Sequence, residues 1–363
     1  MLFDRVQNLA PRLISLQTAV PPHILQQNEV AQRAGEVFAD AISDFSRLTP
    51  IYQHAEIETR HSCVPLDWYV QPHGFGERNR LFLESATALL TEATQRALDD
   101  AGLQAEDIDT LITVCSSGIA TPSLDALVMQ HLPFRRDVTR LPIFGLGCAG
   151  GVLGLARAAA MARAEPDSHV LLLVVELCGL TFRNQDRSKS NIIATALFGD
   201  GAAAAIVSCR NEYGQKKAVP AKPCIGPSGE HTWPGSLDVM GWDVTDDGLK
   251  VVFSGSIPDL VRRDLRPIVD AFLASHDASL EDIDGFICHP GGAKVIDALE
   301  ESFGLAPGAM VHSRAVLRAH GNMSSVTVLF VLKAALEAKD KGVQLLTSLG
   351  PGFTAAMLLL DIP

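Results

Sequence analysis

Apolar and polar positions along this chain alternate between helical stretches and short continuous apolar runs. One stretch reads Ala101-Gly102-Leu103-Gln104-Ala105-Glu106-Asp107-Ile108-Asp109 and passes into the apolar run Thr110-Leu111-Ile112-Thr113-Val114-Cys115. A second reads Ala278-Ser279-Leu280-Glu281-Asp282-Ile283-Asp284 and passes into Gly285-Phe286-Ile287-Cys288-His289. Each predicts a helix, an acidic turn and a buried strand. Asp107 and Asp282 stand 175 positions apart. At an offset of 174, Gly147-Cys148 and Gly321-Asn322 each open an apolar helix pattern. A third pair couples Gly199-Asp200-Gly201 and its apolar run to Gly350-Pro351-Gly352 and its own. Three echoes in order predict an α/β protein built of two duplicated halves about a pseudo-twofold axis. The halves are placed at 1–214 and 215–363. Asn211 to Asp247, rich in Lys, Pro, Gly and Ser, reads as the irregular link. The first sixty residues lie outside the repeat and carry a predicted helix from Asn28 to Phe45, with Asn28 as its cap.

Composition narrows the function. The chain has 363 residues, 47% hydrophobic, enough for a large core. Its 30 Lys and Arg against 42 Asp and Glu leave a formal charge of -12, which argues against nucleic acid or a membrane surface as a general partner. Seven cysteines, odd in number and without a CxxC pair, read as reduced thiols of a cytoplasmic protein, with no zinc site or disulfide framework. No signal peptide is evident, and the apolar run Val170 to Val175 ends at Glu176, far short of the about 20 residues of a membrane span.

Three residues carry candidate chemistry. Cys148 sits where a glycine-rich turn enters a helix, where free N–H groups and the dipole favour thiolate, and the flanking glycines let another molecule approach the backbone. The alternative is a small packed thiol. His289 follows a strand and precedes Pro290-Gly291-Gly292, a turn where α/β sheets place ligands; a solvated turn histidine is the alternative. Asn322 in His320-Gly321-Asn322-Met323-Ser324-Ser325 is equally a helix cap. The repeat brings the three to one place. There a thiolate takes an acyl group from a thioester, while an imidazole N–H and an amide N–H steady the enolate left when a malonyl thioester loses CO₂. A cysteine protease would use its histidine as base and needs no such donor pair.

Gly147-Cys148-Ala149-Gly150-Gly151, Ala196-Leu197-Phe198-Gly199-Asp200-Gly201, His289-Pro290-Gly291-Gly292, Gly321-Asn322-Met323-Ser324-Ser325 and Gly350-Pro351-Gly352 occur in the order found in chalcone and stilbene synthases. From about Leu13 onward the chain resembles a type III polyketide synthase of the thiolase superfamily. The resemblance implies a five-layered αβαβα thiolase fold, a homodimer, acyl-CoA and malonyl-CoA as substrates, and no metal or organic cofactor. It implies Cys148 as the acyl carrier, His289 and Asn322 as the decarboxylation pair, and Phe198 as a gatekeeper between CoA tunnel and cavity. Val251 falls where plant enzymes have a second gatekeeper Phe, Thr121 where a Met reaches across the dimer, and Cys178 where a Thr lines the cavity. Thr181 and Ser324 join these as cavity candidates. Small residues at 251 and 121 imply room for a long aliphatic starter. Glu58-Thr59-Arg60-His61 and Pro65-Leu66-Asp67-Trp68-Tyr69 resemble bacterial alkylpyrone and alkylresorcinol synthases. Arg47, Arg60 and Lys294 are the candidates for CoA. Trp68, Trp233 and Trp242 look too scattered to form a binding platform. The alternative function is a single condensation with a carrier protein, in the manner of a ketoacyl synthase III.

Overall fold

The computed structural model describes residues 10–38, 49–210 and 221–363. Among them the strands are β1 (Arg12–Ala19), β2 (His23–Gln26), β3 (Thr59–Ser62), β4 (Thr110–Cys115), β5 (Thr139–Phe144), β6 (His169–Leu177) and β7 (Asp200–Ser208). Then come β8 (Cys224–Thr232), β9 (Met240–Thr245), β10 (Gly248–Phe253), β11 (Gly285–Cys288), β12 (Gly342–Gly350) and β13 (Thr354–Ile362). Hydrogen bonds run through the order β11-β12-β13-β8-β1-β7-β6-β4-β5, with β1 and β8 meeting at the single pair Arg12↔Cys224. On either side of that junction the pattern repeats: β4 parallel to β6 and β6 antiparallel to β7, β11 parallel to β12 and β12 antiparallel to β13.

The acidic echo has a mechanical cause. Asp107 and Asp282 each accept the backbone N–H of the residue three before, Gln104 at 2.8 Å and Ser279 at 2.9 Å, closing the first turn of a short 3₁₀ helix. Asp109 and Asp284 each accept an N–H at the start of the parallel strand of their half, His169 on β6 and Val343, second in β12, both at 2.8 Å. One carboxylate shapes the turn and the other sets the strand register, so both are needed in each half.

Side-chain alternation then builds the layers. Val170, Leu172 and Val174 of β6 join a central core with Ala203, Ala205 and Val207 of β7 and Leu358 and Leu360 of β13. Helices Gly150–Ala164 and Thr327–Ala338 fill that central layer through Val152, Leu155 and Ala159 and through Val328, Leu329 and Leu332. The opposite faces pack outward. Leu171, Leu173 and Val175 meet helix Phe75–Ala101, and Leu345, Met357 and Leu359 meet helices Arg266–Ala274 and Ala293–Phe303. Helix, sheet, helix pair, sheet, helix is the five-layered arrangement.

Two sequence expectations change here. The link read from Asn211 to Asp247 is partly a core element: β8 pairs with β13 along its length. Its Gly226-Pro227 falls at the irregularity between Leu358 and Leu360, where proline's missing N–H is tolerated, and those residues gave the segment its loop-like look. The 214/215 boundary lies outside the described residues. The N-terminal helix runs Gln27–Phe38, so Asn28 lies inside its first turn and is not its cap; the predicted continuation to Phe45 lies outside the described residues.

Candidate active site

Cys148 stands in a 3₁₀ turn, Gly147–Ala149, at the entrance to helix Gly150–Ala164, and a second such turn, Ser324–Val326, leads into helix Thr327–Ala338. The two entrances meet in the central layer. A Cβ on Gly151 would lie 2.2 Å from the Ser325 carbonyl oxygen, and Gly147 holds φ +48° against Pro351. These glycines serve contact between the halves, not the approach of another molecule to the backbone. Matched residue by residue, the two turns pair Ser325, and not the expected Asn322, with Cys148, and Asn322 lies just upstream.

The three sequence-predicted residues converge. Cys148, His289 and Asn322 line one cavity of about 400 Å³, walled by Met240, Phe253, Ile257, Val295, Leu299 and Leu349. Cys148 Sγ donates to Ser324 Oγ at 3.5 Å. Ser324 therefore touches the sulfur directly, and it holds φ +49°, a strained value for a residue with a side chain. Burial pushes the Cys148 thiol up to about 12; the Ser324 hydrogen bond lowers it and the charge of Glu176 raises it further. Burial thus works against the thiolate expected from the helix start.

His289 follows β11 directly, its N–H bonded to Thr347 O at 2.9 Å. It is 5% exposed, and neither ring nitrogen has a partner among the described residues. Burial lowers its pKa to about 3, so at neutral pH it is an uncharged ring with one N–H donor and one acceptor. Two unpaired polar nitrogens in a buried ring cost about 1–3 kcal/mol each and mark a site awaiting a partner.

Asn322 is 1% exposed. Its Oδ1 accepts the Ser324 N–H at 2.8 Å and its Nδ2 donates to Gly291 O at 3.1 Å. One partner can only donate and the other only accept, so the amide orientation is dictated. The second Nδ2 hydrogen is free for the cavity. The cap-like contact and the donor role coexist in one side chain.

The larger cavity, about 740 Å³, does not contain the three residues. Phe198, Cys178, Thr181 and Val251 line it, and helix Gln27–Phe38 forms much of its wall through Val30, Ala34 and Val37. Phe198 links the two spaces: it lines the larger cavity while its backbone bridges Asn322. Asp200 supports this turn, accepting Gly179 N–H at 2.7 Å and Cys63 N–H at 3.0 Å.

Other assignments move. Arg60 is buried, and its guanidinium is engaged by Thr195 O, Phe198 O, Ala196 O and Gln27 Oε1, leaving it unable to serve CoA. Thr121, before the cis bond to Pro122, is exposed and lines neither cavity of its own chain. Lys294 is exposed on the helix after His289, outside both linings. Arg47 lies outside the described residues. Trp242, set aside as scattered, faces Phe198 with ring centroids 6.2 Å apart and is the cross-strand partner of Val251. Its bulk sits beside the room expected from a small residue at 251.

Glu176 was missed. It is a lone carboxyl ending an otherwise apolar strand, itself a signal of a tied-down role. It accepts Ser116 N–H at 3.0 Å and Ser325 Oγ–H at 2.7 Å, joining the two halves beneath Cys148, and burial raises its pKa. Ser116 Oγ in turn accepts the N–H of Gly147 at 3.0 Å. Among the described residues no cluster of His, Cys, Asp and Glu could hold a metal, and no helix is long and apolar enough to cross a membrane.

A half-buried thiol, a neutral imidazole and a fixed amide on a duplicated five-layered frame define an acyl-transferring condensing enzyme. The sequence profile of the chalcone and stilbene synthases matches on both sides, its N-terminal domain over residues 5–210 and its C-terminal domain over 228–363, and the chain belongs to that family of type III polyketide synthases. It is 38% identical over 357 residues to a putative chalcone synthase of Bacillus subtilis, covering 96% of this chain and 98% of the other. It is also 38% identical over 349 residues to a 1,3,6,8-tetrahydroxynaphthalene synthase of Streptomyces peucetius, covering 95% and 92%. The crystal structure of the Streptomyces coelicolor 1,3,6,8-tetrahydroxynaphthalene synthase superposes with a TM-score of 0.89 at 28% identity, covering 97% of this chain and 99% of that one.

Proposed function

We propose that this enzyme takes a long-chain fatty acyl group from its CoA thioester onto Cys148, extends it with malonyl-CoA, and releases an alkylpyrone or alkylresorcinol. The observation that supports the long-chain reading is the cavity beside Phe198, in which Leu25, Val30, Ala34, Val37, Phe38 and Val251 form an apolar wall alongside polar groups such as Arg33, Thr181 and Asn191. Each CH₂ buried there contributes about 0.8 kcal/mol, so chain length becomes a selectable quantity.

Cys148 sulfur attacks the acyl carbonyl, the C–S bond to CoA breaks, and the departing CoA thiolate takes up the proton that Cys148 gives up. Malonyl-CoA then loses CO₂; the electron pair of the broken C–C bond becomes an enolate, whose oxygen takes hydrogen bonds from His289 N–H and Asn322 N–H. The enolate carbon attacks the acyl carbon, and Cys148 sulfur leaves as thiolate, ready for the lengthened chain. No metal or organic cofactor enters these steps. Lys294 and Arg47 are left as candidates for the CoA phosphates. A homodimer fits the unpaired edge strand β5, which exposes Leu141 (37%) and Phe144 (58%). Thr121 would then face the partner's cavity.

Two measurements check this. Decarboxylation of malonyl-CoA should stay constant from pH 8 to pH 5, because a histidine lowered to about 3 remains a neutral donor over that range. A fall centred near the ordinary 6.5 would contradict it. Purified protein with malonyl-CoA and acyl-CoAs of graded length should give multiply extended products peaking at long starters. Ala34→Trp and Val251→Phe, each filling the larger cavity, should move that peak to shorter chains, and an unmoved profile in both refutes the assignment of that cavity. The 38% identity to a tetrahydroxynaphthalene synthase favours a second reading, a hydroxylated naphthalene as product. Product made without any fatty starter would establish it, and a single ketoacyl product would establish the one-step alternative.

A further inference from the structure

We propose that Arg60 is a positioning residue for Asn322, acting through the last turn of helix Lys189–Leu197 and the backbone of Phe198. The inference rests on the reading above, in which Asn322 steadies the enolate. A helix leaves its last four carbonyls without intrahelical donors. Here those of Thr195, Ala196 and Phe198 are taken by one guanidinium: Arg60 Nη1 donates to Thr195 O at 2.7 Å and Phe198 O at 3.0 Å, and Nη2 to Ala196 O at 3.0 Å. The remaining carbonyl, Leu197 O, is taken by the N–H of Asn322 at 2.8 Å, and Asn322 O accepts the N–H of Gly199 at 3.0 Å. The four carbonyls thus divide between Arg60 and Asn322, and the ribbon that Arg60 grips is the one to which the Asn322 backbone is tied.

The crossing is tight. A Cβ on Gly199 would lie 2.3 Å from His320 O, and one on Gly321 2.8 Å from Leu197 O. A shift of residues 195–198 must therefore carry 320–322 with it. Arg60 is itself fixed. It sits on β3 opposite Leu25, outside the duplicated halves, and Gln27 holds both Nη2 of Arg60 and, through its own Nε2, Ala196 O at 3.0 Å. A positive charge at a helix C-terminus is stabilised by the dipole. Lysine could place its charge there but not four directed N–H bonds, because its ammonium lacks the planar fork. The backbone beside Cys148 is held by Ser116 on Gly147 N–H, and only Ser324, on the sulfur, is shared with Asn322, so loosening the Phe198 ribbon moves Asn322 more than the nucleophile.

The test separates two half-reactions in Arg60→Lys, Arg60→Met and Gln27→Met. Acylation of Cys148 by acyl-CoA alone is followed by intact-protein mass, and decarboxylation by CO₂ release from malonyl-CoA. Arg60→Met should lose roughly 100-fold in decarboxylation, the scale of an ångström-sized misplacement, with acylation at the wild-type rate. Arg60→Lys and Gln27→Met should show smaller losses in the same step only. If Arg60→Met does not fold, the other two variants carry the test. Equal loss of both steps in the folded variants, or no loss in either, overturns the inference while wild-type activity stands. Wild-type protein inert toward malonyl-CoA overturns the proposed function, and the inference with it.

Discussion

Cys148→Ala protein is expected to form no acyl adduct with any acyl-CoA and to lose turnover by about 10⁴-fold or more, the scale seen when a covalent nucleophile is removed. The structure gives this substitution little else to disturb. Cys148 gives up one hydrogen bond, to Ser324, and the turn around it is held by Gly147, Ser116 and the packing of Gly151 against the second half. The fold should survive, and an intact protein without acylation isolates the sulfur's role. The other described cysteines offer no substitute. Cys178 is buried beside the larger cavity, its thiol raised well above the ordinary range by burial first and then by the charge of Glu176. An acyl adduct on Cys148→Ala would reassign the nucleophile.

Asn322→Asp is the second large effect. It should lower malonyl-CoA decarboxylation by about 100- to 1000-fold, the cost of one enolate donor, while Cys148 still acylates. Aspartate keeps an oxygen for the Ser324 N–H but loses the Nδ2 donor and sets an acceptor against Gly291 O. Asn322→Ala should match it in decarboxylation, with an added loss of stability because the Ser324 N–H is left unpaired. Near-normal decarboxylation in Asn322→Asp would mean that His289 alone holds the enolate.

Much of this was legible because the repeat uses the same residues for the same tasks. Asp109 and Asp284 bond the same place in their halves, so the echo survives in sequence. Cys148, His289 and Asn322 were legible because each sits at the end of a strong apolar pattern. Properties made by burial were not. A cysteine at a helix entrance looks like a thiolate until the surrounding side chains strip its water. Arg60 looks like a surface cation until four oxygens are seen around it, all but one from residues far along the chain. β8 is hidden by its own Gly and Pro, and Trp242 finds Phe198 only through the β9–β10 hairpin.

The central claim is that one sulfur carries a chain that the neighbouring pair makes longer. Intact-protein mass after mixing with one long-chain acyl-CoA, followed by a pulse of malonyl-CoA, tests it most directly. The account predicts an acyl adduct on Cys148 that then gains successive C₂H₂O units, with no such series in Cys148→Ala or Asn322→Asp. An adduct that never grows while extended products accumulate, or growth that persists in Asn322→Asp, would contradict it.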